Sequence, residues 1–374
     1  MARIKVIYII SFIDTALEFE WVISKLDRSK FDLSIVLLNS KHSKLADFAS
    51  KSGILCQEFH YESKKNLPAV ILKLYKHFKI NKPDIIHAHL FDASLAALTA
   101  AKMAGIKNRV YTRHHSSFHH IYFKSHVMID KFINSLATHI IAISPLVEDI
   151  LVNWENCSKN KIIVIPHGLD FSLFKDDLIT NSKDKYGLNN NYPIIGVISR
   201  YTHWKGIQYI IPAFKLLLKK YPNSKLLLAN ANGSYRNEIV KLLNELPPDS
   251  YQQIEFDSDI ISLYKSFDVF VHTPIDEHSE AFGQIYIESL ALGIPSVFTL
   301  SGIAPNFVEH NVNAIVVQYK NSQEILDAIN VIIDNTQLKN TLINNGKNAV
   351  ASFSISNKID NLERFYCQIT NVKF

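Results

Sequence analysis

Short apolar runs alternate with helical patterns along the first half of the chain. The runs are rich in isoleucine and valine and apolar on both faces, which is typical of parallel strands covered on both sides. A helical pattern between two of them starts near Asp92 and stops at Gly105, a residue suited to the left-handed position after a helix. The predicted strands are Ile4–Ile10, Leu33–Leu38, Ile54–Phe59, Asp84–His87, Arg109–Thr112, Ile140–Ile143 and Ile162–Ile165.

The alternation lapses between Asp170 and Tyr192, where the sequence is polar and rich in Asn, Asp and Lys, and then it restarts. The strands predicted after this gap are Ile194–Ser199, Lys225–Ala229, Ile254–Phe256, Val269–His272, Ser296–Leu300 and Ala314–Val317. The last patterns are helical and cover Gln323–Asn335, Gln337–Val350 and Ile355–Thr370.

These patterns predict two doubly wound α/β domains, and 374 residues suit two domains of roughly 150 residues each. We place the first domain at 1–170, a linker at 171–192 and the second domain at 193–354. The last helix, within 355–374, is expected to complete the first domain. Ligands of open α/β sheets bind at the carboxyl ends of the strands, so the loops after the strands are where functional residues are expected.

Composition narrows the class of protein. The chain is 47% hydrophobic and 20% charged, as in soluble globular proteins, and it has no run of about 18 apolar residues that would predict a membrane span. We interpret Ile4–Ile10 as a buried strand rather than a signal peptide. Cys56, Cys157 and Cys367 are far apart and odd in number, which favours a reducing compartment, the cytoplasm. The net charge of +5 comes without a basic block, so nucleic acid is not an expected partner, whereas an anionic membrane surface stays open.

The most informative segment begins at Glu280 and reads Glu-Ala-Phe-Gly-Gln-Ile-Tyr-Ile-Glu, then Ser-Leu-Ala-Leu-Gly-Ile-Pro. We expect Glu280 in a loop, Gly283 at the start of a helix that Gly293 ends, and Glu288 inside that helix. The backbone N–H groups at the helix start, near Phe282, suit an anion. A loop carboxylate can accept hydrogen bonds from sugar hydroxyls, and a helical carboxylate can accept both hydroxyls of a ribose.

A second segment follows the predicted strand Ile194–Ser199 and contains Arg200 and the pair Lys205-Gly206. Two fixed cations at a strand end would stabilise the charge that develops on a diphosphate leaving group. The pair Ser301-Gly302 follows another strand, where a small loop lets backbone N–H groups approach a phosphate. The chain contains no G-x-x-x-x-G-K-[ST] phosphate loop.

Together these segments resemble the E-x7-E signature and the Arg and Lys-Gly pair of the family-4 (group 1) retaining glycosyltransferases. The turn Ile165-Pro166-His167-Gly168-Leu169-Asp170 resembles the family's P-N-G-V-D turn, with His167 in place of Asn. The resemblance implies the GT-B fold, two Rossmann-like domains that face each other across a cleft. It also implies a hexosyltransferase-type enzyme that moves a sugar from a nucleotide-diphosphate sugar to a glycan or lipid-linked acceptor, with retention, in cell-surface polysaccharide biosynthesis.

The resemblance also assigns roles to residues. The donor is expected on the second domain, with Glu288 at the ribose, Arg200 and Lys205 at the diphosphate, and Glu280 at the sugar hydroxyls. Further donor-binding predictions are Phe282, Gly283, Gly206 and Gly302. The departing phosphate oxygen is expected to take the acceptor's proton, and neither a metal nor a cofactor besides the nucleotide sugar is expected.

The first domain is expected to bind the acceptor. Asp84 to His89 resembles the family's D-hydrophobic-hydrophobic-H-x-H, and Thr112-Arg113-His114-His115 resembles its T-x-H. We assign the active-site histidine to His114, with His115 as the one-residue alternative. For His87 and His89, a core role or support of another residue is at least as plausible as direct contact.

Two features depart from the pattern or compete with it. Thr15 and Ala16 stand where the family usually has a Gly-Gly loop, which puts the usual acceptor or phosphate contact of that loop in doubt. Asp257-Ser258-Asp259 matches the D-x-D of metal-dependent sugar transferases. It precedes a helix predicted to start near Ile260, so we interpret Asp257 or Ser258 as a helix N-cap.

Three other functions remain open from the sequence. A metal-dependent hydrolase could use the His87/His89/His114 cluster, because imidazoles bind zinc. A GT-B nucleotide-sugar epimerase or a phosphorylase could use the same fold. A non-catalytic sugar-nucleotide binder is favoured only by the missing glycine loop.

Two basic, apolar segments of the first domain bear on membrane contact. Asn66–Lys82 has apolar residues at helical spacing with flanking lysines, and Ser116–Phe132 adds aromatic residues among His and Lys. Such helices can lie on the inner, anionic face of a membrane. The alternative is that each helix packs its apolar stripe on the sheet, with its lysines in water.

Overall fold

The computed structural model describes residues 2–174 and 182–373, so residues 175–181 of the predicted linker lie outside the described residues. Its internal contacts divide the chain into two units. The first consists of Met1–Gly168 with Ile355–Phe374, and the second of Leu169–Ser354.

The first unit is built on one parallel sheet of seven strands in the order β3-β2-β1-β4-β5-β6-β7. The strands are β1 (Ile4–Ser11), β2 (Phe31–Asn39), β3 (Leu55–His60), β4 (Ile85–His89), β5 (Asn108–Arg113), β6 (His139–Ala142) and β7 (Ile162–Val164). The strand order reverses between β1 and β4. The crevice at their carboxyl ends is where such sheets bind ligands.

Helices connect these strands. They are α1 (Leu17–Lys25), α2 (Lys44–Lys51), α3 (Leu67–Asn81), α4 (Phe91–Ala104), α5 (Phe118–Tyr122), α6 (Lys124–Leu136) and α7 (Pro145–Asp149), which a π-helical turn, Ile150–Trp154, follows. Gly105 ends α4 with a φ of 78°, as the sequence predicts. In the central strands β1 and β4 nearly every side chain is buried, which is why they read as continuous apolar runs.

The second unit repeats this plan with a parallel sheet of six strands in the order β10-β9-β8-β11-β12-β13. The strands are β8 (Ile194–Ile198), β9 (Lys225–Ala229), β10 (Tyr251–Ile254), β11 (Val269–His272), β12 (Ser296–Phe298) and β13 (Ile315–Val316). The reversal here lies between β8 and β11. The helices are α8 (Ser182–Lys185), α9 (Ile207–Lys220), α10 (Arg236–Leu243), α11 (Ile260–Lys265), α12 (Gln284–Ala291), α13 (Ser322–Asp334) and α14 (Thr336–Ala349).

The last helix, α15 (Ile355–Thr370), belongs to the first unit. Its buried face includes Leu362, Phe365 and Tyr366. The Tyr366 hydroxyl lies 2.7 Å from that of Tyr8 on β1, so the helix packs directly against the central strand.

The sequence predictions of strands hold except at one edge. The prediction of a strand at Ile254–Phe256 is wrong, because β10 ends at Ile254 and Phe256 is 78% exposed. β10 pairs on one side only and carries glutamines, so no continuous apolar run marks it.

The apolar stripe of α3 faces the interior. Val70, Leu74 and Phe78 are fully buried, while Lys73 and Lys76 are exposed. For this helix the burial of the stripe favours the packing alternative, while Leu72 and Ile80 outside the stripe are exposed. Among the described residues no helix is both long and apolar enough to span a bilayer.

Candidate functional site

In the second unit a buried carboxylate lies at the carboxyl ends of β8 and β11. Glu280 sits in the loop between β11 and α12, and its Oε1 lies 2.5 Å from Lys205 Nζ and 3.0 Å from His272 Nε2. The backbone N–H of Glu280 donates to Ser301 Oγ at 2.9 Å, which ties the loop to the end of β12. Groups from three neighbouring strand ends therefore hold Glu280, two of them at its carboxylate and the third at its backbone.

The surroundings of Glu280 keep it ionised. Burial alone would raise its pKa, but Lys205 and His272 lower the pKa of Glu280 to about 2. Burial lowers the pKa of His272, so this imidazole is neutral and donates one N–H. A fixed anion that still has free lone pairs can accept hydrogen bonds from hydroxyl groups of a bound molecule.

Two glycines let the backbone come close to Glu280. Gly206 has a φ of 74°, and a Cβ there would lie 1.8 Å from the carbonyl oxygen of Thr273. Gly302 has a φ of 65°, and a Cβ there would lie 2.6 Å from the Phe282 carbonyl oxygen and 2.9 Å from Glu280 Cβ. No other residue fits either position without moving the loop that carries Glu280.

The two predicted cations differ in their surroundings. Arg200 is exposed just after β8, whereas the Lys205 side chain is only 17% exposed because it is paired with Glu280. Lys205 is therefore largely shielded from solvent, whereas Arg200 is open to it. An ammonium group has three donors, so Lys205 keeps two for another anion while it holds Glu280.

The remaining donor-binding predictions lie on and around α12. Gly283 precedes the helix with a φ of 83°, and Glu288 lies within it, as the sequence predicts. Tyr264 donates a hydrogen bond to Glu288 Oε2 at 3.0 Å, and burial raises the pKa of Glu288. The side chain of Phe282 is buried, so this residue offers backbone rather than its ring at the helix start.

The two carboxylates of the D-x-D sequence, Asp257 and Asp259, are engaged in contacts within the second unit. Asp259 caps α11 by accepting from Ser262 N–H, so the assignment of the cap to Asp257 or Ser258 is wrong by one or two residues. Lys185 lies 3.2 Å from Asp257 and 3.0 Å from Asp259, and Tyr186 donates to Asp257. These contacts favour a structural role for both carboxylates.

In the first unit a polar cluster gathers around His114, at the carboxyl end of the sheet. His114 stacks on His167, with ring centroids 5.5 Å apart. His167 Nδ1 lies 2.7 Å from Glu18 Oε2, and Lys358 of α15 contacts Glu18 Oε1. Burial lowers the pKa of His114 to about 3, against the opposing effect of Glu18.

This cluster explains two departures from the family pattern together. His167 replaces an asparagine, and its partner Glu18 follows the loop in which Thr15 and Ala16 replace glycines. Burial would raise the pKa of Glu18, but His167 and Lys358 hold it well below its usual value. Glu18, His114 and His167 come close enough to hold a metal, but the Lys358 ammonium already shares this site.

His87 and His89 lie beneath His114 and are almost completely buried. His87 Nε2 lies 2.8 Å from Thr112 Oγ1 and its Nδ1 lies 2.5 Å from the Tyr366 hydroxyl. His89 Nδ1 lies 3.3 Å from His114 Nε2. Since both nitrogens of His87 are engaged, the structure does not favour the three-histidine metal site of a hydrolase.

His115, the alternative to His114, faces a different network. It lies 3.5 Å from Asp130, which also pairs with His119 at 2.6 Å and with Arg113 at 3.1 Å. Arg113 pairs in turn with the buried Glu155. The loop after β5 is locked to α6 by contacts among Arg113, His115, His119 and Asp130. Of the two histidines in this loop, His114 is therefore the one that joins the Glu18 cluster.

Sequence reasoning missed four residues of these clusters: His272, Tyr264, Glu18 and Lys358. His272 ends a predicted strand, and a polar residue at the end of an apolar strand is a usable signal. Tyr264 and Lys358 lie in helices far along the chain from their partners, and nothing local distinguishes them.

Comparison with known proteins identifies the family of the chain. The family model described as Glycosyltransferase Family 4 matches residues 23–173, and the one described as Glycosyl transferases group 1 matches residues 179–349. Together they cover most of both units. The chain therefore belongs to the group 1 glycosyltransferases.

Individual relatives point the same way. The chain is 29% identical to the capsular polysaccharide biosynthesis glycosyltransferase CapM of Staphylococcus aureus, over 79% of this chain and 80% of that protein. It is 24% identical to an Escherichia coli UDP-Gal:alpha-D-GlcNAc-diphosphoundecaprenol alpha-1,3-galactosyltransferase, over 79% and 78%. The crystal structure of Anabaena HepE with UDP-glucose matches 98% of this chain and 100% of that one, with 21% identity and a TM-score of 0.84. The fold is GT-B, and the protein is a glycosyltransferase.

Proposed function

We propose that this glycosyltransferase transfers a hexose-type sugar, with retention of anomeric configuration, from a nucleoside-diphosphate sugar to a glycan or lipid-linked acceptor of cell-surface polysaccharide biosynthesis. The observation that carries the proposal is the buried Glu280 carboxylate held by Lys205 and His272, with Arg200 exposed in the loop after β8. The names of the capsular and diphosphoundecaprenol-dependent relatives support the class of product and acceptor.

Each group has a task in this reaction. Arg200 and the two remaining Lys205 donors stabilise the negative charge that grows on the diphosphate as the glycosidic bond breaks. Glu280 orients the sugar by accepting hydroxyl protons, and Glu288, steadied by Tyr264, accepts the ribose hydroxyls. His114 acts on the acceptor side, and the departing phosphate oxygen takes the acceptor's proton.

Donor screening tests the proposal first. The purified protein is mixed with UDP-, GDP- and ADP-sugars, and its thermal unfolding midpoint is measured with each; one sugar nucleotide is expected to raise it. That donor is then incubated with sugar-diphospholipid and soluble glycan acceptors, and the anomeric configuration of the product is read by proton NMR. Inversion would refute the retaining assignment, and release of a free epimerised sugar without transfer would point to an epimerase instead.

A lipid-linked acceptor is supported by an exposed apolar stripe on α5 and α6. The stripe consists of Ile121, Tyr122, Phe123, Met128 and Phe132, with Met128 72% exposed, and Lys124 and Lys131 lie among these residues. Contiguous exposed apolar side chains mark interaction surfaces, and aromatic residues beside lysines suit an anionic membrane surface. We propose that this stripe, rather than α3, contacts the membrane that carries the acceptor.

Vesicle flotation tests this contact. The protein should float with phosphatidylglycerol vesicles at low salt, and binding should fall as salt rises. Met128→Glu with Phe132→Glu should abolish flotation, while Met103→Glu, at an equally apolar and exposed position at the end of α4, should not. Equal flotation of both variants, or none by the wild type, would leave a soluble glycan as the acceptor.

A further inference from the structure

The contact between His89 and His114 joins two buried imidazoles in the first unit. The distance between His89 Nδ1 and His114 Nε2 is 3.3 Å, so a hydrogen bond connects them. The other nitrogen of His89, Nε2, is buried and has no hydrogen-bond partner among the described residues. The His89 side chain is thus anchored at one nitrogen and unsatisfied at the other.

Both imidazoles are neutral. Burial lowers the pKa of His89 well below its usual value and that of His114 to about 3. A neutral imidazole carries one N–H and one bare nitrogen. The contact therefore has two arrangements: His89 donates to His114, or His114 donates to His89.

These two arrangements give His114 opposite chemistry. If His89 donates, His114 carries its proton on Nδ1, and that nitrogen is a donor toward a substrate. If His114 donates from Nε2, its Nδ1 is bare and is an acceptor. A mixture would leave half of the molecules with the wrong group facing the substrate, so a single tautomer has to be enforced.

A small cavity beside His89 can hold a water molecule that selects one of the two tautomers. Its volume is about 20 Å³, and its lining combines the polar residues Glu18, His89, Thr112, His167 and Lys358 with apolar side chains that include Phe19, Val22, Ile141, Ile165 and Leu362. Such a volume holds one water, and buried waters typically make about three hydrogen bonds to otherwise unsatisfied polar groups. The unsatisfied His89 Nε2 and the Glu18–Lys358 pair supply suitable partners.

We propose that His89, together with one water bound in this cavity, is a positioning residue that holds His114 in a single tautomer. The water fixes which nitrogen of His89 carries the proton, and the contact with His114 transmits this choice. Glu18 and Lys358, which line the same cavity, act through that water. The catalytic meaning of this device depends on the proposed function of His114, but the tautomer itself does not.

Nitrogen-15 NMR of protein labelled at histidine tests the proposal, because the two ring nitrogens of each neutral tautomer have distinct shifts. His114 is expected as one tautomer in the wild type. His89→Leu, which fills similar space without a polar atom, should give a mixture. His89→Asn, whose amide replaces Nδ1 but leaves no atom in place of Nε2, should also give a mixture, because the water then no longer fixes the direction of the contact.

Kinetics provide the second readout. His89→Leu should lower kcat by roughly 10- to 100-fold with the donor KM little changed, and His89→Asn, which also lacks Nε2, should show a similar loss. His139→Leu, at the opposite end of the same sheet on β6, is the matched control and should leave kcat unchanged. A wild-type mixture of tautomers, or a His114 signal that His89→Leu does not alter, overturns the proposal. Failure of the transferase assay alone would instead count against the proposed function, since the NMR readout needs no substrate.

Discussion

At the scale of single residues, the Lys205–Glu280 pair connects binding to stability. Both side chains are mostly buried, with 17% and 11% exposure, and each is the other's principal charge partner. Removing one partner of such a pair leaves a buried charge that is only partly compensated. Arg200 has no comparable burial, so the two cations should behave differently when they are removed.

Arg200→Ala and Lys205→Ala should each lower kcat by on the order of 10²–10³, as loss of one anion-stabilising donor does elsewhere. Lys205→Ala should in addition destabilise the protein by about 1–3 kcal/mol because Glu280 then keeps only His272. Urea unfolding and initial rates measure the two effects. Lys215→Ala, which breaks an exposed pair with Glu245, is the control and should change neither by much. Wild-type turnover in both site variants would remove these residues from the diphosphate site.

The ionisation of Glu280 should also appear in the dependence of stability on pH. Its folded pKa of about 2 lies below the ordinary 4.5, so its contribution is complete above about pH 5 and is lost as pH falls from 4.5 toward 2. That contribution corresponds to about 3 kcal/mol. Urea unfolding of Glu280→Gln should therefore show a flatter decline between pH 5 and 3 than the wild type, whereas Glu245→Gln should follow the wild type. Parallel declines for Glu280→Gln and wild type would contradict the depressed pKa.

At the scale of elements, parallel strands were readable from the sequence because burial on both faces makes them continuous apolar runs. The edge strand β10 was misplaced because it is only partly buried. The predicted helical segment Ser116–Phe132 is divided into α5 and α6, because helices as short as the five residues of α5 give no periodicity of their own. The loop Glu280–Gly283 was recognised because its residues are adjacent. The Glu18–Lys358 pair joins residues 340 positions apart, so only the folded chain reveals it.

Substitution of Gly302 tests whether the loop that carries Glu280 depends on the close approach of its backbone neighbours. Gly302→Ala should lower turnover by about 10- to 100-fold, because its Cβ would press on Glu280 and on the Phe282 carbonyl. Gly105→Ala is the matched control: its φ of 78° imposes a similar backbone strain of about 1 kcal/mol, but nothing lies within 4 Å of the new Cβ. Initial rates and melting temperatures of both variants separate the two effects. Equal turnover of the two would mean that the contact with the loop does not matter.

At the scale of the whole molecule, the proposed function assigns the charges that serve the diphosphate to side chains rather than to a bound ion. We expect EDTA to leave transfer activity largely intact, with initial rates measured before and after dialysis against the chelator. Restoration of a lost activity by Mn²⁺ or Mg²⁺ would contradict this. It would direct attention to Asp257 and Asp259, or to the groups formed by Glu18, His114 and His167 and by His115, His119 and Asp130.

The return of α15 to the first unit has a consequence for biosynthesis. The ribosome delivers Gly168 long before Ile355, and at about 5–20 residues per second the intervening 169–354 take about 10–40 s. During this interval the nascent first unit does not yet contain Lys358 and Tyr366. Glu18, His87 and Tyr8 are therefore still without their partners on α15. The histidine cluster can therefore form completely only after the second unit has been synthesised, so a prematurely terminated chain would carry an incomplete histidine cluster.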